Sequence, residues 1–152
     1  GGTSGHLLGG VLAAVLLGPY AAAIVLSVVL FAQCLIFQDG GLTTLGANML
    51  NMSFVGTMGG YLVYRAVRIF LRHKDGMMVA TAISAWCSVV LASMVCALEL
   101  AISGISPFKI VFPAMVGIHA IIGIGEAFVT CFVISFIVKV RPDLLYGGVG
   151  LK

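Results

Sequence analysis

Long apolar runs separated by short polar turns divide the 152-residue chain into five segments. The runs predict helices over residues 4–17, 19–37, 43–72, 77–103 and 108–140. The first run is short for a membrane crossing, which takes about 20 residues. The runs are continuous and lack the alternation of apolar and polar residues that marks a membrane barrel. The predicted fold class is therefore all-α, a polytopic transmembrane bundle of about five helices in a single domain.

The composition places these helices in a membrane. Hydrophobic residues make up 61% of the chain and charged residues only 9%, whereas a soluble domain carries about 25% charged residues. The four cysteines all lie inside apolar runs without CxxC spacing, so they are interpreted as small buried hydrophobic residues. The chain shows no signal peptide and begins with Gly-Gly, from which we expect a processed or incomplete amino terminus.

Charge predicts the orientation in the membrane. Basic residues cluster at the junction of the third and fourth predicted helices and at the end of the fifth; they are Arg65, Arg68, Arg72, Lys74, Lys139, Arg141 and Lys152. With five crossings both clusters lie on one side, and Lys109 lies on the other. By the positive-inside rule the basic side and the carboxyl terminus are cytoplasmic, and the turns at His6, Asp39 and Ser106 face outward. The basic cluster is also a possible contact for a partner, although topogenic charge accounts for it.

The opening stretch concentrates the most distinctive chemistry. Residues 1–10 have the sequence GGTSGHLLGG, which places His6 between glycines and after two hydroxyl residues, the second being Ser4. Glycine lets a backbone approach a ligand closely, and a neutral imidazole binds borderline transition metals. A structural interpretation stays open: the hydroxyls cap a helix, and Gly5 and Gly9 have the spacing that allows helices to pack closely.

Polar and ionisable side chains inside the predicted helices are further candidates, because such groups are costly in a membrane. His119 and Glu126 share one face of the last helix, Glu99 lies on the fourth, and Asn48 and Asn51 lie on the third. These side chains either line one outward-facing polar pocket together with the histidine of the opening stretch, or join helices by hydrogen bonds without touching a ligand.

The residue types also favour one kind of ligand. The chain has no HExxH, GxSxG or P-loop motif, so we expect no enzymatic activity. Its methionines are scattered, which argues against a copper(I) site. Carboxylates are few on the outward side, which argues against magnesium or calcium. Nitrogen-rich binding of nickel or cobalt fits the residues better.

Three motifs in order resemble the CbiM/NikM family, the substrate-binding membrane subunits (S components) of energy-coupling-factor transporters for cobalt and nickel. They are GTSGHLLGG at residues 2–10, GGLTTLGAN at residues 40–48 and the segment from His119 to Ala127 that ends in GEA. The resemblance covers most of the chain. It implies Ni²⁺ or Co²⁺ as the transported ligand, no organic cofactor, and His6 as a metal ligand.

The resemblance also implies what surrounds that ligand. In the family, the amino group and second-residue histidine of a Met-His amino terminus complete a nitrogen-rich site, so we expect a further amino-terminal portion ahead of these residues. Ser4, Asn48, His119 and Glu126 receive supporting roles, which are to orient His6 or its loop or to join helices.

The implied mechanism is transport without covalent chemistry on this subunit. The implied partners are cytoplasmic ATPase subunits, a membrane coupling (T) subunit and a small accessory membrane subunit, in the lipid bilayer of a prokaryotic inner membrane. No nucleic-acid partner is expected.

Two other functions stay open. A proton-coupled secondary transporter would use His119 and Glu126 as a relay, but it should contain paired discontinuous helices or an inverted repeat, and the sequence suggests neither. A structural membrane subunit with a degenerate metal site is the second alternative.

Overall fold

The structure, a computed structural model, describes residues 5–148 except for the side chains at positions 74 and 75. Within this range the chain forms five helices and no strand, which confirms the predicted all-α fold class. The helices are α1 (Gly10–Leu17), α2 (Pro19–Phe37), α3 (residues 45–70), α4 (Lys74–Ile102) and α5 (Phe108–Val140). Two short 3-10 turns, Pro142–Leu144 and Tyr146–Gly148, follow α5.

The first helix differs most from its predicted bounds. The apolar run predicts a helix from residue 4, but α1 begins at Gly10. Gly9 has a φ of +67°, a left-handed conformation that glycine adopts at little cost. The backbone N–H groups of Leu8 and Gly9 donate to Glu126 on α5, so the preceding loop is held by another helix. The other four helices lie within three residues of their predicted bounds, and α5 continues through Pro113.

Helix α1 does not cross a membrane, which corrects the expectation of five crossings. Its eight residues span about 12 Å, against a hydrocarbon thickness of about 30 Å. Its amino-terminal end meets Glu126 near the middle of α5. Its other end, at Gly18, packs against the ring of Tyr146 beyond the end of α5. The helix therefore occupies one half of the bundle, and the loop before it lies within the other half.

Helix α3 changes its helical type along its length. An α-helical turn (Leu45–Asn48) leads into an eleven-residue π-helix (Met49–Gly59), which returns to α-helix over Gly60–Phe70. π-helical segments are rare and often occur at functional sites. Helix α2 also ends in a π-helical turn, Gln33–Phe37.

Small residues let α4 pass through the centre of the bundle. Its buried side chains include the hydroxyl residues Thr81, Ser84, Ser88 and Ser93. Gly60 of α3 packs against this helix so closely that an added Cβ would lie 2.7 Å from the Cβ of Ser88. Helices α4 and α5 form the most extensive helix pair, and the indole N–H of Trp86 joins them by donating to the carbonyl oxygen of Ala120 at 2.9 Å.

The outer surface of the bundle is apolar, as a membrane protein requires. Three helices are long and apolar enough to span a membrane, namely Pro19–Phe37, Gly76–Ile102 and Phe108–Val140. Large side chains on α2 and α5 point outward; they include Ile24, Val28, Phe31, Ile121, Phe128, Phe132 and Phe136. Two ends can be distinguished. One end carries the turns at residues 38–44 and 103–107 and is named the cavity end, because a cavity lies between the helices there. The basic end carries residues 71–73, where Arg68 donates to the carbonyl oxygens of Leu71 and His73, and residues 141–148.

Candidate metal centre

A cavity of about 510 Å³ lies between the helices at the cavity end, with several polar side chains in a mostly apolar lining. Its polar lining comes from the loop before α1, the turns after α2 and α4, and helices α2, α3, α4 and α5. These residues include His6, Gln33, Asp39, Thr44, Asn48, Asn51, Ser93, Glu99, Ser103 and His119. The described residues that line the cavity include no lysine and no arginine. With two carboxylates and no fixed positive charge, the cavity favours cations over anions.

His6 is held by a carboxylate at the cavity wall. Its Nε2 lies 2.8 Å from Oδ2 of Asp39, in the turn after α2. Because an ionised carboxylate only accepts hydrogen bonds, the imidazole Nε2–H is the donor, and in the neutral ring Nδ1 carries the free lone pair. A carboxylate on the far nitrogen of a histidine is a common arrangement in metal sites, where it fixes the ring and raises its basicity.

Glu126 holds the loop that carries His6. Its Oε2 accepts the backbone N–H of Leu8 at 2.9 Å, and its Oε1 accepts that of Gly9 at 2.7 Å. The glutamate is 2% exposed and lies at the start of α1, where a helix dipole favours negative charge. The two bonds join α5 to the loop across the centre of the bundle. Glu126 therefore acts on the backbone two and three residues after His6 and does not line the cavity.

Glu99 and Asn51 form a second polar pair in the cavity. The Asn51 amide nitrogen Nδ2 donates to Oε2 of Glu99 at 2.7 Å, joining α3 to α4. Asn51 is 4% exposed, and its amide oxygen Oδ1 is buried without a hydrogen-bond partner in the structure. If the amide oxygen and nitrogen of Asn51 were exchanged, the oxygen would face the Glu99 carboxylate and two acceptors would meet. The assignment with Oδ1 unpaired is therefore the one that this geometry supports.

His119 lies on α5 and lines the same cavity. Its Nδ1 is 2.7 Å from the carbonyl oxygen of Met115, one helical turn earlier. A carbonyl only accepts, so Nδ1 carries the proton, and in the neutral ring Nε2 is left as an acceptor or a metal ligand. The hydrogen bonds of the described residues do not link His119 to Glu126, and hence they show no relay between the two.

The structure thus brings most of the predicted residues together. His6, Asn48, Asn51, Glu99 and His119 line one cavity, and Asn48 lies against Gly40 in the turn after α2. Ser4 lies outside the described residues, so its predicted supporting role is not addressed. Within residues 5–148, no three His, Cys, Asp or Glu side chains are grouped closely enough to hold a metal ion.

Asp39 is the partner of His6 that the sequence pattern did not predict, because the composition around it indicates only a turn. The available signal was its position, because an acidic residue in an outward turn lies on the same side of the membrane as the predicted metal-binding histidine.

Comparison with known proteins identifies the chain's relatives. The sequence matches the CbiM family model, described as the cobalt uptake substrate-specific transmembrane region, over residues 1–144. The chain belongs to the CbiM family. A relative from Archaeoglobus fulgidus, named "Putative fused nickel transport protein NikMN", is 44% identical over 147 residues. The aligned region covers 95% of this chain and 48% of that protein.

Two solved structures have the same fold as this chain. One, a truncated transition metal transporter, has a TM-score of 0.83 and 32% identity, and the match covers 91% of this chain and 70% of that chain. The other, a transition metal transporter, has a TM-score of 0.84 and 33% identity, with 91% and 66% covered. The chain therefore spans about half the length of the Archaeoglobus relative and about two thirds of the solved chains. The resemblance to CbiM/NikM proteins found in the sequence is confirmed, as is the transmembrane character of the chain.

Proposed function

We propose that this chain is the metal-capturing membrane part of an ATP-driven energy-coupling-factor importer for nickel or cobalt. In this function His6 is a ligand of the incoming ion at the outer face. The chain itself carries out no covalent chemistry. Nickel and cobalt are both supported by the comparisons, because the family description names cobalt and the Archaeoglobus relative is named for nickel.

The observation that carries the proposal is the support given to His6. Asp39 holds the imidazole, and Glu126 holds the loop behind it. A ligand that is fixed before the ion arrives loses less conformational freedom on binding. An imidazole with a free nitrogen also selects nickel and cobalt over magnesium, which prefers oxygen ligands. Asn48 has a supporting role in this arrangement, because it packs against the turn that carries Asp39.

The charge distribution supports the orientation. The basic end of the bundle carries the arginines that follow α3 and α5, and basic loops face the cytoplasm of a bacterial or archaeal cell. The cavity and His6 would then open outward from the inner membrane, and the carboxyl terminus would be cytoplasmic. On that side a membrane coupling subunit and ATPase subunits would act, together with a small accessory membrane subunit.

Uptake of Ni²⁺ and Co²⁺ by cells that express the full-length protein with its partners tests this function. His6→Ala is compared with His73→Ala, which changes an exposed histidine at the basic end. We expect His6→Ala to abolish uptake at normal membrane levels and His73→Ala to leave it intact. Unchanged uptake in His6→Ala would instead favour a scaffold with a degenerate site. Uptake that depends on the proton gradient and not on ATP would favour a secondary transporter using His119 and Glu126.

A further inference from the structure

One exposed face of α3 combines arginines with large apolar residues near the basic end of the bundle. Leu62, Arg65 and Ile69 follow one another at intervals of three and four residues, so they lie in one row along the helix. Arg72 follows the helix end, and its Nε–H donates to the carbonyl oxygen of Ile69 at 3.4 Å. All four residues are exposed, Leu62 at 65% and Ile69 at 62%. We call this surface the arginine face.

The two arginines of this face can reach the same anion. The contact at Ile69 holds the guanidinium of Arg72 about one helical turn from Arg65. Four residues of α-helix span about 6 Å, which is less than the length of an arginine side chain. A single anion on the arginine face can therefore contact both guanidinium groups.

The charge of the arginine face favours a bound anion. Among the side chains that the structure describes, no carboxylate forms an ion pair with Arg65 or Arg72. Arg68 lies one turn from Arg65 and adds a third positive charge. Like charges one turn apart on a helix repel each other. An anion bound here would reduce this repulsion and stabilise the end of α3.

Tyrosines place the arginine face at the level of the lipid headgroups. Tyr61 lies one turn before Arg65, and its ring meets that of Tyr146 edge to face at 6.4 Å. Tyr20, in the first turn of α2 at the same end, is 72% exposed. Tyrosine is enriched at the boundary between hydrocarbon and headgroups. Arg65 lies about 8 Å inside the end of α3, which puts it in this layer.

Topogenic charge explains the number of basic residues at this end but not their arrangement. The positive-inside rule depends on basic residues near the ends of membrane segments, whichever way they face. Here arginines alternate with apolar residues along one exposed face. The planar guanidinium of arginine matches the oxygens of a phosphate group through two parallel hydrogen bonds. Leu62 lies farther from the basic end than both arginines, where an acyl chain would follow its phosphate.

We propose that the arginine face binds an anionic phospholipid. The phosphate lies between Arg65 and Arg72, and an acyl chain runs along Leu62 toward the middle of the membrane. Phosphatidylcholine carries a positive choline group that the arginines repel, so the site prefers phosphatidylglycerol. The bound lipid offsets the charge of the arginines and fixes the depth of α3 in the membrane.

Native mass spectrometry of the purified full-length protein in detergent tests this site. The protein is incubated with an equimolar mixture of phosphatidylglycerol and phosphatidylcholine, and the lipid that stays bound is measured. We expect a preference for phosphatidylglycerol in the wild-type protein. Arg65→Gln and Arg72→Gln should each reduce this preference by about fivefold, and the double variant by about 25-fold. Arg141→Gln, which changes an arginine paired with Asp143 at the same end, should leave the preference intact.

Three outcomes would overturn the lipid site. They are equal retention of the two lipids, a preference for phosphatidylglycerol that survives the double variant, and displacement of the lipid by an equal concentration of inorganic phosphate. Thermal unfolding in detergent without added lipid shows that the variants are folded, and the single variants decide if the double variant is not. The measurement needs no metal ion, so its outcome is separate from that of the uptake experiment.

Discussion

Replacing Glu126 with glutamine tests whether this carboxylate holds the loop that carries His6. The carboxylate accepts two backbone N–H groups, from Leu8 at 2.9 Å and Gly9 at 2.7 Å. Glutamine keeps one acceptor oxygen but places an NH₂ group where the second oxygen lies. One bond is therefore lost, with donor facing donor, and the other loses its charge assistance.

The size of the effect follows from these two bonds. A hydrogen bond to a charged group contributes about 1.5–3 kcal/mol, and a neutral one about 1 kcal/mol. Losing one charged bond and weakening the other lowers the free energy of unfolding by about 2–4 kcal/mol. For a chain of this size, the midpoint of thermal unfolding should fall by about 5–15 °C. If about 2 kcal/mol of this lost free energy had served to hold the loop in its binding position, the affinity for nickel falls by up to roughly 30-fold.

The assay combines thermal unfolding and Ni²⁺ titration of the full-length protein in one detergent. Asp143→Asn is the matched control, because it removes an exposed carboxylate at the basic end. We expect Glu126→Gln to lower both the unfolding midpoint and the affinity, and the control to change neither. Wild-type values for both quantities in Glu126→Gln would refute the reasoning. A lower midpoint with unchanged affinity would limit Glu126 to a purely structural role.

Four further predictions concern other contacts. Asp39→Asn should weaken Ni²⁺ binding by about 10- to 100-fold with little change in unfolding, because it removes the charge that fixes the His6 imidazole; calorimetry measures this. Gly60→Ala should cost about 1–3 kcal/mol of stability, because the new Cβ would lie 2.6 Å from the Cγ2 of a neighbouring valine. Gly117→Ala, with nothing within 4 Å, should be neutral or stabilising in thermal unfolding. The arginine beside Asp143 lowers the pKa of that carboxyl below its usual value of about 3.9. The ion pair therefore contributes above that pH and its small effect is lost as pH falls through the lowered pKa, which carboxyl NMR titration detects.

Each of these predictions has a contrary outcome. Nickel affinity that is unchanged in Asp39→Asn would show that the imidazole does not need the carboxylate. Equal midpoints for Gly60→Ala and Gly117→Ala would show that the helix contact at Gly60 relaxes without cost. A carboxyl pKa for Asp143 at or above its ordinary value would show that the ion pair at the basic end does not form in solution.

The helices could be predicted from the sequence because their signals are local. Apolar runs set the lengths of α2 and α5, and glycine or proline turns set their ends. The start of α1 could not be predicted in this way. The run of apolar residues through Leu7 and Leu8 is compatible with a helix, and what prevents one is a carboxylate on a helix that lies more than a hundred residues later in the sequence. Its effect depends on the tertiary fold.

The candidate site could likewise be predicted from the sequence only in part. His6 is conspicuous in the sequence because glycines flank it, and His119 and Glu99 are conspicuous because they are ionisable groups in apolar helices. The groups to which each of them hydrogen-bonds are not visible there. Asp39 resembles any turn residue until the fold places it against His6, and Asn51 becomes informative only when one end of its amide is seen to be occupied and the other free. The π-helical part of α3 has no local sequence signal that we can identify.

Because the His6 loop is attached to α5 far from the basic end, a small tilt of this helix about that end would displace the attachment point by a large distance. Glu126 lies 14 residues from Val140, which is about 21 Å along the axis. A rotation of α5 by about 5° around its basic end would move the carboxylate by roughly 2 Å, enough to break hydrogen bonds of ordinary length. The hold on His6 would then loosen, with α5 shifting against α4, the helix on which it packs most extensively. In the proposed function, a partner that tilts α5 from the basic end would release the ion without entering the cavity.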